Sequence, residues 1–142
     1  MKVINMDKSK IKILTYNSTG FATDKQEYIV GQIGLHDPDI VFLQETWLLE
    51  SNRSASLRGL HQGYLGDGIS SVKEDQLLPG RPYGGLGILW RKEMAANIKF
   101  RPIENTKRAC AIEMNTECGL IVLINVYMPV DNQRKRHVDE DF

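Results

Sequence analysis

Asn17, Glu45 and Tyr127 each sit where an apolar, β-prone run gives out. Ile11, Ile13, Leu14 and Tyr16 precede the first, Ile40-Val41-Phe42-Leu43 precedes the second, and Leu120-Ile121-Val122-Leu123-Ile124 precedes the third. An amide, a carboxylate and a phenol are hydrogen-bonding groups, and the carboxylate and phenol also titrate. In α/β sheets ligands bind beyond the carboxyl ends of strands, because exposed loops there are rooted in fixed elements. If the three strands are parallel neighbours, the three side chains converge on one edge. Taken singly, Glu45 is equally well read as a solvated group at a strand end, and for Asn17 and Tyr127 alone that is the plainer reading.

Other residue patterns are less informative. Cys110 and Cys118 have neither CxxC spacing nor a histidine cluster, so zinc is not indicated. A hairpin could bring them face to face, but reduced thiols are expected. Gly84-Gly85 lacks the G-x-x-x-x-G-K spacing of a phosphate loop, and its glycines suit a bulge or a close strand approach. Arg81, Arg91 and Lys92 flank the glycine-rich strand and are candidates for nucleic-acid backbone contact, with solvated surface charge as the plainer reading. Trp47 is expected to pack in the core.

The elements that must position these groups read as follows. A first strand ends at Asn17-Ser18. Thr23 has Gln26 three residues on, the pattern of a helix N-cap, and Tyr28, Ile29, Ile33 and Leu35 give an amphipathic helix to His36. Pro38 stops it. Asp39 to Glu45 is a strand covered on both faces, which completes a βαβ order. From Ser51 to Pro82 the periodicity fades into loops around one short strand near Tyr64, a candidate lid or substrate-facing insertion. Strands follow at Tyr83 to Trp90, Asn97 to Phe100, Arg108 to Met114 and Leu120 to Tyr127, with a hairpin turn at Glu117-Cys118-Gly119. Leu120 to Ile124 has the composition of a central strand, and Pro129 closes it. A mixed sheet with helices on one face is expected.

The 142 residues suit one domain, and 18 Lys and Arg against 18 Asp and Glu leave no net field to gather a polyanion. That argues against a general nucleic-acid-coating role but not against local phosphate binding. No apolar run approaches the about 20 residues that span a bilayer, and Met1 to Lys10 lack a signal-peptide core. The expectation is an intracellular chain without membrane association.

Leu14-Thr15-Tyr16-Asn17, Pro38 to Trp47, Tyr83 to Leu89 and Asn125-Val126-Tyr127-Met128-Pro129 resemble, in order, motifs of the endonuclease/exonuclease/phosphatase superfamily, the DNase-I-like fold. The flavour is that of non-LTR retrotransposon endonuclease domains. The resemblance implies an α/β fold: an incomplete four-layer sandwich, mainly one mixed sheet with flanking helices. It further implies that Glu45 binds magnesium, that Asn17 sits beside it and orients metal and phosphate, and that Tyr127 approaches the scissile phosphate. Carboxylate and amide oxygens suit a hard cation. The implied activity is magnesium-dependent attack of water on a phosphodiester of DNA, leaving a 5′-phosphate and a 3′-hydroxyl, in the nucleus if the chain is retroelement-derived.

The superfamily's later Asp-x-Asn and terminal Asp-His motifs do not follow Tyr127, and His137, Asp139 and Asp141 do not replace them. The expected organisation is therefore a tail at 1–10, a partial domain at 11–130 and a polar tail at 131–142, with an incomplete catalytic set. A single sheet would leave an apolar face bare, so marginal stability or self-association through that face is expected. The alternatives are a phosphatase for inositol phosphates or other small phosphorylated substrates, and a non-catalytic interaction module.

Overall fold

Strand β1 (Ile13–Asn17) and helix α1 (Thr23–His36) open the fold in the computed structural model, which describes residues 10–71 and 84–128. Strand β2 (Ile40–Gln44) completes a βαβ unit, parallel to β1, with Ile13 opposite Ile40 and Asn17 opposite Gln44. The helix stops where Asp37 turns left-handed at φ 49° and its N–H bonds Ile33 O at 2.8 Å, one residue before Pro38. Its start differs from expectation. Ala22 is the N-cap and Thr23 already lies in the helix, while Gln26 Nε2 donates to Phe21 O at 2.8 Å.

The stretch after Ser51 is more ordered than its composition suggests. It holds a short helix α2 (Arg53–Arg58) and β3 (Tyr64–Ile69). Strand β4 (Leu86–Arg91) lies between β2 and β3, antiparallel to both, giving a four-stranded sheet of order β1-β2-β4-β3. Gly66, Gly68 and Gly87 make room for Leu57 of α2 and for neighbouring strand backbone. A Cβ at Gly68 would lie 2.2 Å from Leu86 O, and one at Gly87 would lie 2.8 Å from Leu57 Cδ2.

A 3-10 turn (Lys92–Asn97) leads to β5 (Ile98–Pro102), β6 (Ala109–Thr116) and β7 (Gly119–Val126). These form a separate antiparallel sheet of order β5-β6-β7, with Glu117-Cys118 as the two-residue turn between β6 and β7. The mixed α/β architecture is as expected, but the expectation of mainly one sheet is corrected: the later strands pack across the first sheet instead of extending it. Alternation along β2 explains how. Val41 and Leu43 join Ile29, Ile33, Leu57 and Leu89 on the helix side. Ile40 and Phe42 face Ile88, Trp90, Ile112 and Met114 between the sheets. Each such aliphatic side chain, fully buried, contributes about 1.5–3 kcal/mol, so both layers are held by apolar burial.

A second correction concerns β7, read from composition as a central strand. Among the described residues it is the sheet's edge, and Leu120, Val122 and Ile124 are 58%, 50% and 52% exposed on its outer face. The exposed apolar face therefore lies on the outside of the second sheet, and the inner faces are covered. A continuous apolar run shows that both faces are apolar, not that both are covered. Cys110 is opposite Asn125 in the register, away from Cys118 at the turn, and both thiols are free. No described helix is long and apolar enough to cross a membrane.

Candidate active site

Glu45 follows the last residue of β2, and the chain there is gripped from both sides. On one side Ser18, fully buried, donates its N–H to Gln44 O at 2.9 Å and its hydroxyl to Gln44 O and Glu45 O at 3.1 and 3.2 Å. Gly20 N–H donates to Glu45 O at 2.8 Å. On the other side Thr46 N–H and Trp47 N–H donate to Gly85 O and Gly84 O at 3.2 and 2.9 Å. These contacts turn the backbone left-handed at Glu45 (φ 52°) and again at Trp47 (φ 57°). Such conformations are strained for residues with a Cβ and persist where the surroundings impose them.

Gly84 and Gly85 fit their expected use as a close approach. Both have positive φ, 82° and 89°, and a Cβ at Gly85 would lie 2.6 Å from Thr46 Oγ1. Trp47 is half-buried against Gly20, where a Cβ would come within 2.9 Å of the indole.

Tyr127 reaches this edge from the second sheet. Its N–H is held by Arg108 O at 2.9 Å, and its hydroxyl donates to Glu45 Oε1 at 2.5 Å. That bond, then partial burial and the charge of Glu45, raise the phenol's pKa above its ordinary value, against the opposing charge of Arg108. Asn17 lies at the end of β1, in register with Gln44, so its backbone borders Glu45. Its Oδ1 accepts from Thr19 N–H at 3.2 Å and Thr19 Oγ1 at 3.1 Å. Because both donors need the carbonyl end, the amide nitrogen is turned away from Thr19 and available to donate to an anion. The structure thus joins Glu45 directly to Tyr127 and sets Asn17 on the adjoining strand end.

Two residues behind this edge escaped the sequence reading. Asn125 of β7 is 1% exposed, and its amide donates to Leu43 O and Gly87 O at 3.0 Å each. Gln44 Nε2 donates to Asn125 Oδ1 at 2.8 Å and to Thr15 Oγ1 at 3.0 Å. The signal was a single amide interrupting the aliphatic run from Leu120 to Val126.

The basic residues divide differently. Arg91 lies at the far end of β4, where Nη2 meets Asp37 Oδ1 at 2.6 Å and Nε meets Asp39 Oδ1 at 3.1 Å, with the guanidinium 5.7 Å from the Tyr64 ring centre. It ties the start of β2 to the end of β4, a use that neither the candidate backbone contact nor the plainer reading as solvated charge described. Exposed Lys92 begins the turn beside it, and Arg81 lies outside the described residues. No group of three or more His, Cys, Asp or Glu side chains converges among the described residues.

A family model described as endonuclease/exonuclease/phosphatase family matches residues 14–141. No curated protein matches by sequence. Among solved structures, the AP endonuclease LMAP of Leishmania major is 17% identical with TM-score 0.63, over 89% of this chain and 44% of its own. The endonuclease domain of TRAS1, a telomere-specific non-LTR retrotransposon, is 12% identical with TM-score 0.56, over 92% of this chain and 52% of its own. D. rerio TDP2 complexed with single-strand DNA product is 21% identical with TM-score 0.55, over 93% and 52%. The chain spans about half the length of these structures.

Proposed function

From the premise that the chain belongs to the endonuclease/exonuclease/phosphatase family, we propose that its Glu45–Tyr127 edge serves metal-dependent hydrolysis of a DNA phosphodiester. The observation that carries this reading is the hydrogen bond from Tyr127 to Glu45, which unites a carboxylate and a protonated phenol where the two sheets meet. The DNA substrate is supported by two similar structures, D. rerio TDP2 with its single-strand DNA product and a Neisseria 3′ phosphatase bound to product DNA hairpin.

The donors fit magnesium in part. That ion takes oxygen ligands and is commonly held by one or two carboxylates together with waters and phosphate. Glu45 offers a half-buried carboxylate, anchored by a backbone pinned on both sides. The carbonyl of Asn17 is already engaged by Thr19, so the proposed role of Asn17 shifts from ligand toward phosphate donor through its amide nitrogen. A bound cation would neutralise charge growing on the phosphate. Tyr127 keeps its proton because its O–H donates a hydrogen bond to the Glu45 carboxylate, and the same O–H can donate to a phosphate oxygen when the carboxylate is otherwise engaged.

The test is nicking of supercoiled plasmid by the 142-residue chain with and without magnesium, alongside calorimetric titration with manganese. Manganese binding that is lost in Glu45→Ala is the expected result, with at most weak magnesium-dependent nicking that is lost in the same variant. Phosphate release from inositol phosphates without nicking would replace DNA with a small phosphorylated substrate. Manganese binding unaltered by Glu45→Ala would overturn the assignment of Glu45.

A further inference from the structure

We infer that Asn125, acting with Gln44, is a positioning residue that sets Tyr127 against Glu45 by locking the second sheet onto the first. The two sheets otherwise meet through side chains such as Ile40, Ile88, Ile112 and Met114, and aliphatic contacts are non-directional. A strand held only by them can slide or tilt by fractions of an ångström at little cost. The bond between Tyr127 and Glu45 tolerates no such slack, since hydrogen bonds weaken steeply as distance and angle depart from their optimum.

Asn125 removes the slack with directional bonds. Its two amide hydrogens reach the carbonyls of Leu43 and Gly87, which are opposite each other on β2 and β4. Its Oδ1 receives Gln44 Nε2, whose second hydrogen goes to Thr15 on β1. Every hydrogen of both amides is used: the buried Asn125 side chain fixes β7 to β2 and β4, and Gln44 carries the link on to Thr15 of β1. A buried polar network that is fully satisfied specifies one arrangement in a way that apolar packing does not.

The placement along the chain gives the network its purpose. Asn125 stands two residues before Tyr127, and Gln44 immediately precedes Glu45. Side chains on a strand alternate, so Asn125 and Tyr127 project from the same face of their segment, the former into the sheet interface and the latter to its rim. Gln44 is bonded to Asn125 while the next residue turns left-handed and presents its carboxylate to Tyr127. The Asn125–Gln44 and Tyr127–Glu45 bonds are successive rungs between the same two segments.

The inference rests on reading Glu45 and Tyr127 as a functional pair, and its test does not require turnover. In chain labelled with ¹³C at the phenol carbon of tyrosine, the Tyr127 signal is assigned with Tyr127→Phe and its carboxylate-bonded position with Glu45→Gln. In Asn125→Leu, which replaces the amide by a side chain of similar volume, the Tyr127 signal is expected to move to the position it takes in Glu45→Gln while the far-ultraviolet spectrum and a cooperative melt persist. Plasmid nicking, where present, falls mainly through kcat. A folded Asn125→Leu with the Tyr127 signal unmoved overturns the proposal. Should that variant not fold, Gln44→Ala, which leaves the two carbonyl contacts of Asn125 in place, is expected to move the signal in the same direction by less, and an unmoved signal there overturns it as well. A moved signal in a chain that neither nicks nor binds manganese would leave the positioning intact and remove the hydrolytic reading.

Discussion

The hydroxyl of Tyr127 donates to Oε1 of Glu45 across 2.5 Å, although 82 positions of sequence separate them. One residue closes the first sheet's buried strand and the other follows the last strand of the second sheet. Their bond is therefore a report on how the two sheets are mounted on each other.

The phenol of Tyr127 should titrate above the ordinary tyrosine range of about 10, because ionising it breaks the bond to Glu45 and sets two anions side by side. The folded state then holds this proton more tightly than the unfolded chain. The associated stabilisation is complete below the unfolded phenol's pKa and is lost as pH rises through the higher folded value. Absorbance at the tyrosinate band, recorded as the difference between the wild type and Tyr127→Phe, should show the late titration. Glu45→Gln should bring it back toward the ordinary range.

Substitutions at Glu45 should separate activity from stability. Loss of one preorganised charge-stabilising group commonly lowers rate by about 10²–10³-fold, and whatever nicking the chain shows should fall by that order in Glu45→Gln. Glu45→Gly should be as inactive as Glu45→Ala and more stable than it, since both lose the bond to Tyr127 and only alanine keeps a Cβ at the left-handed position. Relief of left-handed strain, worth about 1–3 kcal/mol, offsets the entropy glycine adds to the unfolded chain, about 0.5–1 kcal/mol. Urea denaturation checks this, and a Glu45→Gly variant no more stable than Glu45→Ala would show that the turn is not strained.

Gly85→Ala should act on the site from the opposite flank. At φ 89° the new Cβ is strained in any case, and it would meet Thr46 Oγ1 at 2.6 Å. The expected loss is about 1–3 kcal/mol of stability, with a lower urea midpoint at unchanged slope. Because Gly85 O holds Thr46 N–H, the variant should also weaken manganese binding at the neighbouring Glu45.

The two thiols should differ sharply. Cys110 is fully buried between the sheets, and burial pushes its thiol up to about 12, so it presents almost no thiolate near neutral pH. Cys118 is exposed at the β6–β7 turn. A chromogenic disulfide reagent should titrate one thiol in the native chain and both after denaturation. Rapid labelling of both under native conditions would mean that the second sheet opens readily.

Much of this was legible in residue order. The β-prone run from Ile40 to Leu43, the helix stopped before Pro38, the turn at Glu117-Cys118 and the close approach at Gly84-Gly85 follow from side-chain type and local backbone preference, which operate over a few residues. Resemblance of four short motifs nominated Asn17, Glu45 and Tyr127. The sequence by itself thus determined the local elements and the strand ends that carry polar groups. Tertiary structure alone decided that the later strands form a second, facing sheet, that Arg91 is a strut to Asp37 and Asp39, and that Asn125 bonds two strands of the opposite sheet and, through Gln44, reaches a third. The reason is physical. Alternation shows that a side chain is destined for burial but not what it will be buried against, and a left-handed turn at Glu45 is imposed by Ser18, Gly20, Gly84 and Gly85, none of which adjoins it in sequence.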